Sequence, residues 1–536
     1  MDDVDDTDLT VPPSAGEAEE RRYDAVIIGA GIGGLTCGAL LAREGLDVLV
    51  LERRDRPGGF VTDHARKDFS FQVPSTVGGL GPGGDLTRLM ERLDMRLSFK
   101  KVDPYQRYIY PDHDVLVPCD PAVYLEVLKE SFLPQTANLK KLFEAIQRIA
   151  STVDMKEFLK ASAGRPTPGK LARTLRHPGI ARHVSRRASF QKLLDEHLTD
   201  DRLKTILGTA CTRLGALPWQ VSSLSVVALM KGFYGGAHFP AGGFGAMSEA
   251  FANALTEAGG TLLYGQEVLK VNVEEGRVVT VDTEAQPGIR AAAVISDADT
   301  RSTFLRLLDP EDLTGAFVEA VETRAPSHSG FTMHLGLAGP VDLREFAGGT
   351  VSVRPTYDHS ETLEAISSVE DYPDPEKLAF DVTVHSLMDP SLAPEDKACL
   401  SIQVPGVPYR FMERWGVGTG GLKGRRYKGV SEKYAEIVVE AVRRAFPGLV
   451  EGVQAYDIAT PVTYEQATMA YDGCWYDLAP GPRGVFDRAT GPATPVHGLY
   501  LTGSKSLLGG GIYAAAMNGV LAANAVLKGK LGSFFG

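Results

Sequence analysis

The run Gly29-Ala30-Gly31-Ile32-Gly33-Gly34 spaces its glycines so that a main chain can close around phosphate, and an acid, Glu52, follows eighteen residues after Gly34. Gly29 permits a tight turn, Gly31 lets pyrophosphate approach the backbone, and Gly34 lets the following helix pack closely. The first N–H groups of that helix and its positive dipole end attract phosphate charge. Glu52 stands where a carboxylate accepts hydrogen bonds from ribose hydroxyls. The chemistry is capture of a dinucleotide, with its kind and the reaction still open.

These residues need a strand, a helix and a second strand to hold them, and Tyr23 to Glu52 supplies all three. The apolar run Ala25 to Ile28 suits a buried parallel strand, and Val48 to Leu51 suits another. Between them a helical segment offers Leu35, Leu40 and Leu41 as inward positions. After Glu52 and Arg53, a second pair of glycines, Gly58-Gly59, again permits close backbone approach.

At 536 residues the chain exceeds what one hydrophobic core supports, so more than one domain is expected. Its hydrophobic fraction of 43% suits a globular enzyme, and a net charge of −12 points away from general nucleic-acid binding. No stretch approaches about twenty uninterrupted apolar residues, the length of a membrane-spanning helix. The five cysteines, Cys37, Cys119, Cys211, Cys399 and Cys474, show no metal-ligand or dithiol spacing, and their sparseness suits a reducing cytoplasm. Residues 1–22 hold eight acids and two prolines with almost no apolar content, so a disordered acidic tail without secretory character is expected.

Further along, LTRLMERLDM, YLEVLKESF and LKKLFEAIQRIASTV carry helical periodicity with charged faces. The glycine-rich stretch Gly232 to Phe244 reads as a loop before a helix of roughly Ala246 to Ala258, which Gly259-Gly260 closes. Strands are expected at Thr261 to Tyr264, Glu267 to Val273, Val278 to Asp282, Ala292 to Asp297 and Phe331 to Leu337. The chain ends with Gly498 to Ser504, then Gly509-Gly510-Gly511, then a helix from Ile512 to Leu527.

Three blocks in this order resemble the FAD-dependent phytoene desaturase, carotene isomerase and retinol saturase group of the flavin amine-oxidase-like superfamily. The first is the N-terminal unit with Pro57-Gly58-Gly59. The second is Phe239-Pro240-Ala241-Gly242-Gly243 with its helix and the strand Glu267 to Val273, and the third is Gly498 to Gly503 with the terminal glycine-rich helix. Smaller echoes are Val294 to Asp299 and Leu387 to Pro394. The resemblance implies FAD as the dinucleotide. It implies an α/β fold: a Rossmann-type FAD-binding domain assembled from discontinuous segments, 23–95, 231–300 and 490–530, plus a substrate domain with mixed β-sheet and helical lobe, 96–230 and 301–489. By matching positions, Gly29, Gly31, Ile32, Gly33 and Gly34 meet the pyrophosphate. Glu52 and Arg53 then lie at the adenosine ribose, with Gly58 and Gly59 beside the turn, and Val268 bonds the adenine through its backbone. Gly503 and Ser504 lie at the ribityl chain, and Gly510, Gly511 and Ile512 bring a helix N-terminus to the flavin. Two departures stand out: Gly503-Ser504 replaces the family's Gly-Asp, with Lys505 beside it, and Val73-Pro74-Ser75 replaces an Asp-x-Gly.

The resemblance further implies an oxidoreductase that desaturates, saturates or isomerises an extended apolar polyene. The same scaffold also carries amine and natural-product oxidases, and prenyl-protein escort proteins resemble it without a flavin, although the intact glycines and Glu52 speak for catalysis. No catalytic residue emerges from the sequence. His238 in the glycine-rich stretch has a side chain suited to proton transfer or to a structural hydrogen bond. Tyr234 and Tyr513 suit either the flavin or the core, and Tyr471, Trp475 and Tyr476 either line an apolar channel or pack beneath a loop. His328, His334 and His385 stand isolated in strand-like segments, with no carboxylate nearby to complete a metal site. Residues 161–194 hold eight Lys or Arg and no acid, which suits either a solvated lobe or peripheral contact with an anionic membrane. No GxSxG, HExxH or P-loop lysine occurs, so hydrolase, metalloprotease and NTPase chemistry find no footing.

Overall fold

Buried parallel strands read as unbroken apolar runs because both faces are covered. In the computed structural model the strand Arg22–Ile28 pairs in parallel with Val48–Leu51 on one side and Ile289–Ser296 on the other. The structure describes residues 22–533 except 153, 163–188, 342–345, 347, 368–371, 480–490 and 507. Thr261–Leu263 extends the parallel sheet beyond Val48–Leu51, and Leu499–Leu501 pairs with the end of Ile289–Ser296. Val268–Glu274 and Arg277–Thr283 add an antiparallel hairpin on the Ile289–Ser296 edge. Strands from three distant stretches of chain therefore form one sheet. The helices Ile32–Arg43, Gly243–Glu257 and Ile512–Val526 pack together on it, and Leu35, Leu40, Leu41, Met247, Phe251, Met517 and Leu521 fill the shared core.

The second sheet runs in the order Val453–Ala459, Gly330–Leu337, Ala398–Pro405, Phe380–Val384, Thr350–Val353, Gln106–Ile109, Asp114–Val117. It is mixed: Thr350–Val353 pairs with Gln106–Ile109 in parallel, and the other pairs are antiparallel. The long helix Arg425–Ala445 joins its apolar face to a core of Phe331, Leu335, Leu400, Ile402 and Trp415. Helices of the helical lobe show the expected stripe; in Thr136–Ala150 the buried positions are Leu139, Leu142, Phe143, Ala145, Ile146, Ile149 and Ala150.

One local expectation fails. The stretch Gly232 to Phe244 is not all loop: Ala237–Pro240 is a buried strand paired antiparallel with Phe99–Val102. The next helix starts at Gly243, three residues earlier than Ala246, because Gly242 takes a left-handed conformation and Gln72 Oε1 accepts the Phe244 N–H at 2.7 Å.

Candidate active site

The strand Arg22–Ile28 ends at Gly29, whose φ of +95° turns the chain sharply into the helix that starts at Ile32. The N-cap, Gly31, has no side chain to take up that helix's first N–H groups, and of these Gly34's goes to Asp297. Gly29, Gly31, Ile32 and Gly33 line a cavity of about 890 Å³. Glu52, buried at the end of Val48–Leu51, lines it too. Its Oε2 accepts the Ala30 N–H and its Oε1 the Arg54 N–H, both at 2.8 Å, which fixes the carboxylate and leaves each oxygen a further lone pair. Gly58 donates its N–H to Ala30 O at 2.8 Å, pressing Gly58 and Gly59 against the same wall. Arg53 lies beside them and donates to the carbonyls of Gln466 and Ala467 at 2.7 and 3.1 Å. Val268, at the start of its strand, continues the lining.

The C-terminal stretch closes the turn from the other side. A methyl group on Gly33 would lie 2.4 Å from Gly503 Cα and N, so the two backbones touch. The buried Asn518 donates to Gly503 O at 2.7 Å and accepts from Leu508 N–H at 3.1 Å, pinning the loop to the terminal helix. Gly503, Ser504, Gly510, Gly511 and Ile512 all face the cavity, and the terminal helix starts at Ile512 without a side-chain cap. Two helix N-termini, each with a glycine at the N-cap, thus point at one space.

Acids absent from the sequence-based set crowd this wall. Asp297, directly after Ile289–Ser296, accepts the Gly34 N–H at 3.0 Å, and Lys505 Nζ stands 3.4 Å from its other oxygen. A methyl group on Gly31 would sit 2.3 Å from Asp297 Oδ2, so the position has no room for a side chain. Burial opposes the Lys505 ammonium, but Asp297, with Asp477 and Asp299 behind it, holds its pKa above the ordinary value. Asp299 and Asp477 are buried and hydrogen-bonded to each other. Asp299 caps Ser302 N–H at 3.0 Å, while Asp477 accepts from Thr300 N–H and Oγ1 at 2.9 and 2.6 Å. Burial, then the neighbouring Asp477, pushes the Asp299 pKa up to about 7.

Beyond the nucleotide turn the walls are mostly apolar, with Leu214, Leu224, Leu229, Phe233, Tyr464 and Trp475, though Arg213 and Lys231 line them too. Trp475 meets Tyr464 edge-on at 5.8 Å, and Tyr476 packs against Gly510. Tyr513, in the first turn of the terminal helix, donates to Asp85 Oδ2 at 2.6 Å.

The family model for flavin containing amine oxidoreductases matches residues 32–527. The chain belongs to that family. Its cofactor is FAD, and it is an oxidoreductase. The chain is 27% identical to prolycopene isomerase 1, chloroplastic, of an Oncidium hybrid cultivar, over 96% of this chain and 85% of that one. It is 25% identical to all-trans-retinol 13,14-reductase of Danio rerio, over 95% and 86% respectively. The crystal structure of an oxidoreductase from Methanosarcina mazei shares the fold, with a TM-score of 0.60 and 19% identity over 92% of this chain and 98% of that one. The α/β fold with a Rossmann-type FAD domain and a substrate domain follows.

The residues present fit FAD: a glycine turn at a helix N-terminus suits the pyrophosphate, Glu52 suits a ribose, and the terminal helix N-terminus favours negative charge on a reduced flavin. Among the residues the sequence assigns to the cofactor only Gly34 stands back from the cavity, where a methyl group on it would lie 2.3 Å from Gly29 O. His238 is a strand residue, not a flavin-facing one: its Nδ1 lies 3.1 Å from Gly236 O, and burial lowers its pKa. Tyr234 does not line the cavity, and Tyr471 lies outside it beneath the Arg301 guanidinium at 3.9 Å. His334 and His385 belong to the core around Ser401 in the second sheet. His328 packs edge-on against Trp475 at 5.2 Å, and burial takes its pKa down to about 4. No histidine lines the cavity among the described residues. The five cysteines are buried and free, and no group of metal-ligating side chains occurs among the described residues. The basic run 161–194 falls mostly on 163–188, and the acidic tail on 1–21, outside the described residues. The signal for Asp297 and Asp299 was in plain view: acids directly after a buried strand, at the carboxyl edge where such sheets bind ligands.

Proposed function

We propose that the substrate of this FAD-dependent oxidoreductase is an extended apolar polyene of the isoprenoid kind, which it desaturates, saturates or isomerises between cis and trans. The observation that carries this is the continuity of one cavity, with the nucleotide turn at one side and aliphatic and aromatic walls at the other. A substrate in contact with Leu224, Leu229, Phe233 and Trp475 meets little that would reward polar groups along its length. The carotenoid and retinoid relatives support the same substrate class.

When bound, FAD supplies two-electron oxidation or reduction. The chain's own residues do the rest. Glu52 and the helix end at Ile32 orient the nucleotide, and the apolar walls exclude water and align the chain of double bonds. Tyr513 and Asp85 form the proton-holding pair nearest the terminal helix. Burial, then Asp85, keeps the Tyr513 pKa well above the ordinary value, so the phenol is protonated at neutral pH. Delivery from a membrane surface through the basic run 161–194 belongs to the same proposal; among the described residues no helix is long and apolar enough to cross a membrane.

Anaerobic mixing of FAD-loaded protein with a panel of polyenes, followed by flavin bleaching and product mass, tests it. Loss of two hydrogens marks desaturation, and unchanged mass with shifted absorbance marks isomerisation. With flavin reduced beforehand, a gain of two hydrogens marks saturation. Flavin reduction by amines alone would contradict the proposal.

A further inference from the structure

A cation stands in the apolar half of the cavity, with no acid paired to it among the described residues. Arg213, from the short helix Thr209–Leu214, lines the cavity beside Leu214 and Phe233. Its guanidinium lies over the rings of Tyr105 and Phe233, with its carbon 5.3 and 5.4 Å from their centroids. Those rings are stacked on each other at 4.7 Å and 5°, which makes a rigid platform. One Nη2 N–H is held by Gln106 Oε1. Gln106 is itself buried and donates to Ser352 Oγ at 2.6 Å.

This bracing is neutral. An amide oxygen fixes the direction of the guanidinium without cancelling its charge, and among the described residues Arg213 has no carboxylate partner. Asp381, which with Arg213 acts electrostatically on Tyr476, is already engaged by Arg354 at 2.8 Å. A half-buried cation without a counter-charge is costly unless a ligand supplies one. The remaining N–H groups of Arg213 form the planar fork that matches a carboxylate in two parallel hydrogen bonds.

We propose that Arg213 anchors the carboxylate end of the substrate, so that the preferred substrate is a polyene acid rather than a neutral hydrocarbon or alcohol. A fixed head group sets the register of the chain along the apolar wall and so selects which double bond reaches the reactive position. This inference rests on the polyene proposal, and the test separates the two.

The FAD-loaded protein is titrated with two probes of one skeleton, all-trans-retinoic acid and all-trans-retinol, following tryptophan quenching and the flavin absorbance. Wild type should bind the acid at least about tenfold more tightly than the alcohol, as expected for hydrogen bonds to a charged group. Arg213→Met should abolish that preference while the alcohol's Kd moves less than about threefold, and Arg213→Lys should keep part of it because the charge remains but the fork does not. Full flavin content in the variants confirms their fold. Salt dependence in wild type gives a reading that needs no variant: the acid should weaken with ionic strength and the alcohol should not. Equal affinity for acid and alcohol in wild type, or a preference that survives Arg213→Met, overturns the anchor while leaving the polyene proposal standing. Failure of both probes to bind a fully flavinylated protein overturns both.

Discussion

Lys505 Nζ lies 3.4 Å from Asp297 Oδ1, joining the turn after the last strand of the FAD sheet to the end of a strand more than two hundred residues earlier. The two side chains are largely buried, and Asp297 also receives the Gly34 N–H at 3.0 Å. A negative charge therefore sits beneath the turn proposed to take the phosphates, and Lys505 offsets it. Ser504 is neutral, and the acid on this wall is contributed by Asp297.

Lys505→Met leaves Asp297 unpaired next to the phosphates. FAD affinity should fall by about 10- to 100-fold, since stranding one member of a buried pair costs roughly 3–5 kcal/mol and water relieves part of it. Adding Asp297→Asn should recover most of the loss, a coupling that fluorescence titration of FAD onto the four proteins would measure.

Gly33 and Gly503 leave no room for side chains. Gly503→Ala would place Cβ 1.8 Å from Asp297 Oδ1 at a backbone φ of +65°. Overpacking of this kind typically costs about 1–3 kcal/mol, and the left-handed conformation adds to it. The expected result is a lower Tm and sub-stoichiometric flavin, whereas Gly265→Ala, with φ of +66° and open space around it, should retain full flavin.

The Asp299–Asp477 pair predicts a pH dependence. The folded Asp299 pKa of about 7 is raised above that of an unfolded carboxylate, about 3.9. Its stabilising contribution is thus full below the unfolded value, declines as pH rises towards 7, and is flat beyond. The groups around it are Asp477, Asp297, Lys505 and Cys474. Urea midpoints between pH 5 and 8 should fall more steeply for wild type than for Asp299→Asn, which keeps a neutral partner for Asp477.

Tyr513→Phe removes the phenol that donates to Asp85. FAD content and substrate Kd should stay near wild type while the bleaching rate falls by about 10²-fold or more, the range for a lost proton-transfer group. Unchanged bleaching would make the pair a structural tie.

The FAD half was largely legible. Val48–Leu51 and the start of the terminal helix at Ile512 fall where the sequence puts them, because buried parallel strands and glycine-led helices carry strong local signals. The strand Ala237–Pro240 was not legible, since glycines on either side speak for a loop and only pairing with Phe99–Val102 makes it a strand. The same holds for the site's charges. Arg213 has meaning only beside Gln106 and Phe233, Asp297 beside Lys505, and Tyr513 beside Asp85, and no spacing in the chain brings such partners together.

The most direct measurement is a titration of FAD-loaded protein with a polyene under anaerobic conditions, read at the flavin absorbance band, for wild type and Ala228→Trp. Ala228 lines the apolar half of the cavity, so the indole should fill that half and leave the nucleotide turn intact. Wild type should show a saturable one-to-one perturbation and the variant none, with flavin stoichiometry equal in both. A perturbation that survives Ala228→Trp, or appears only with amines, would contradict it.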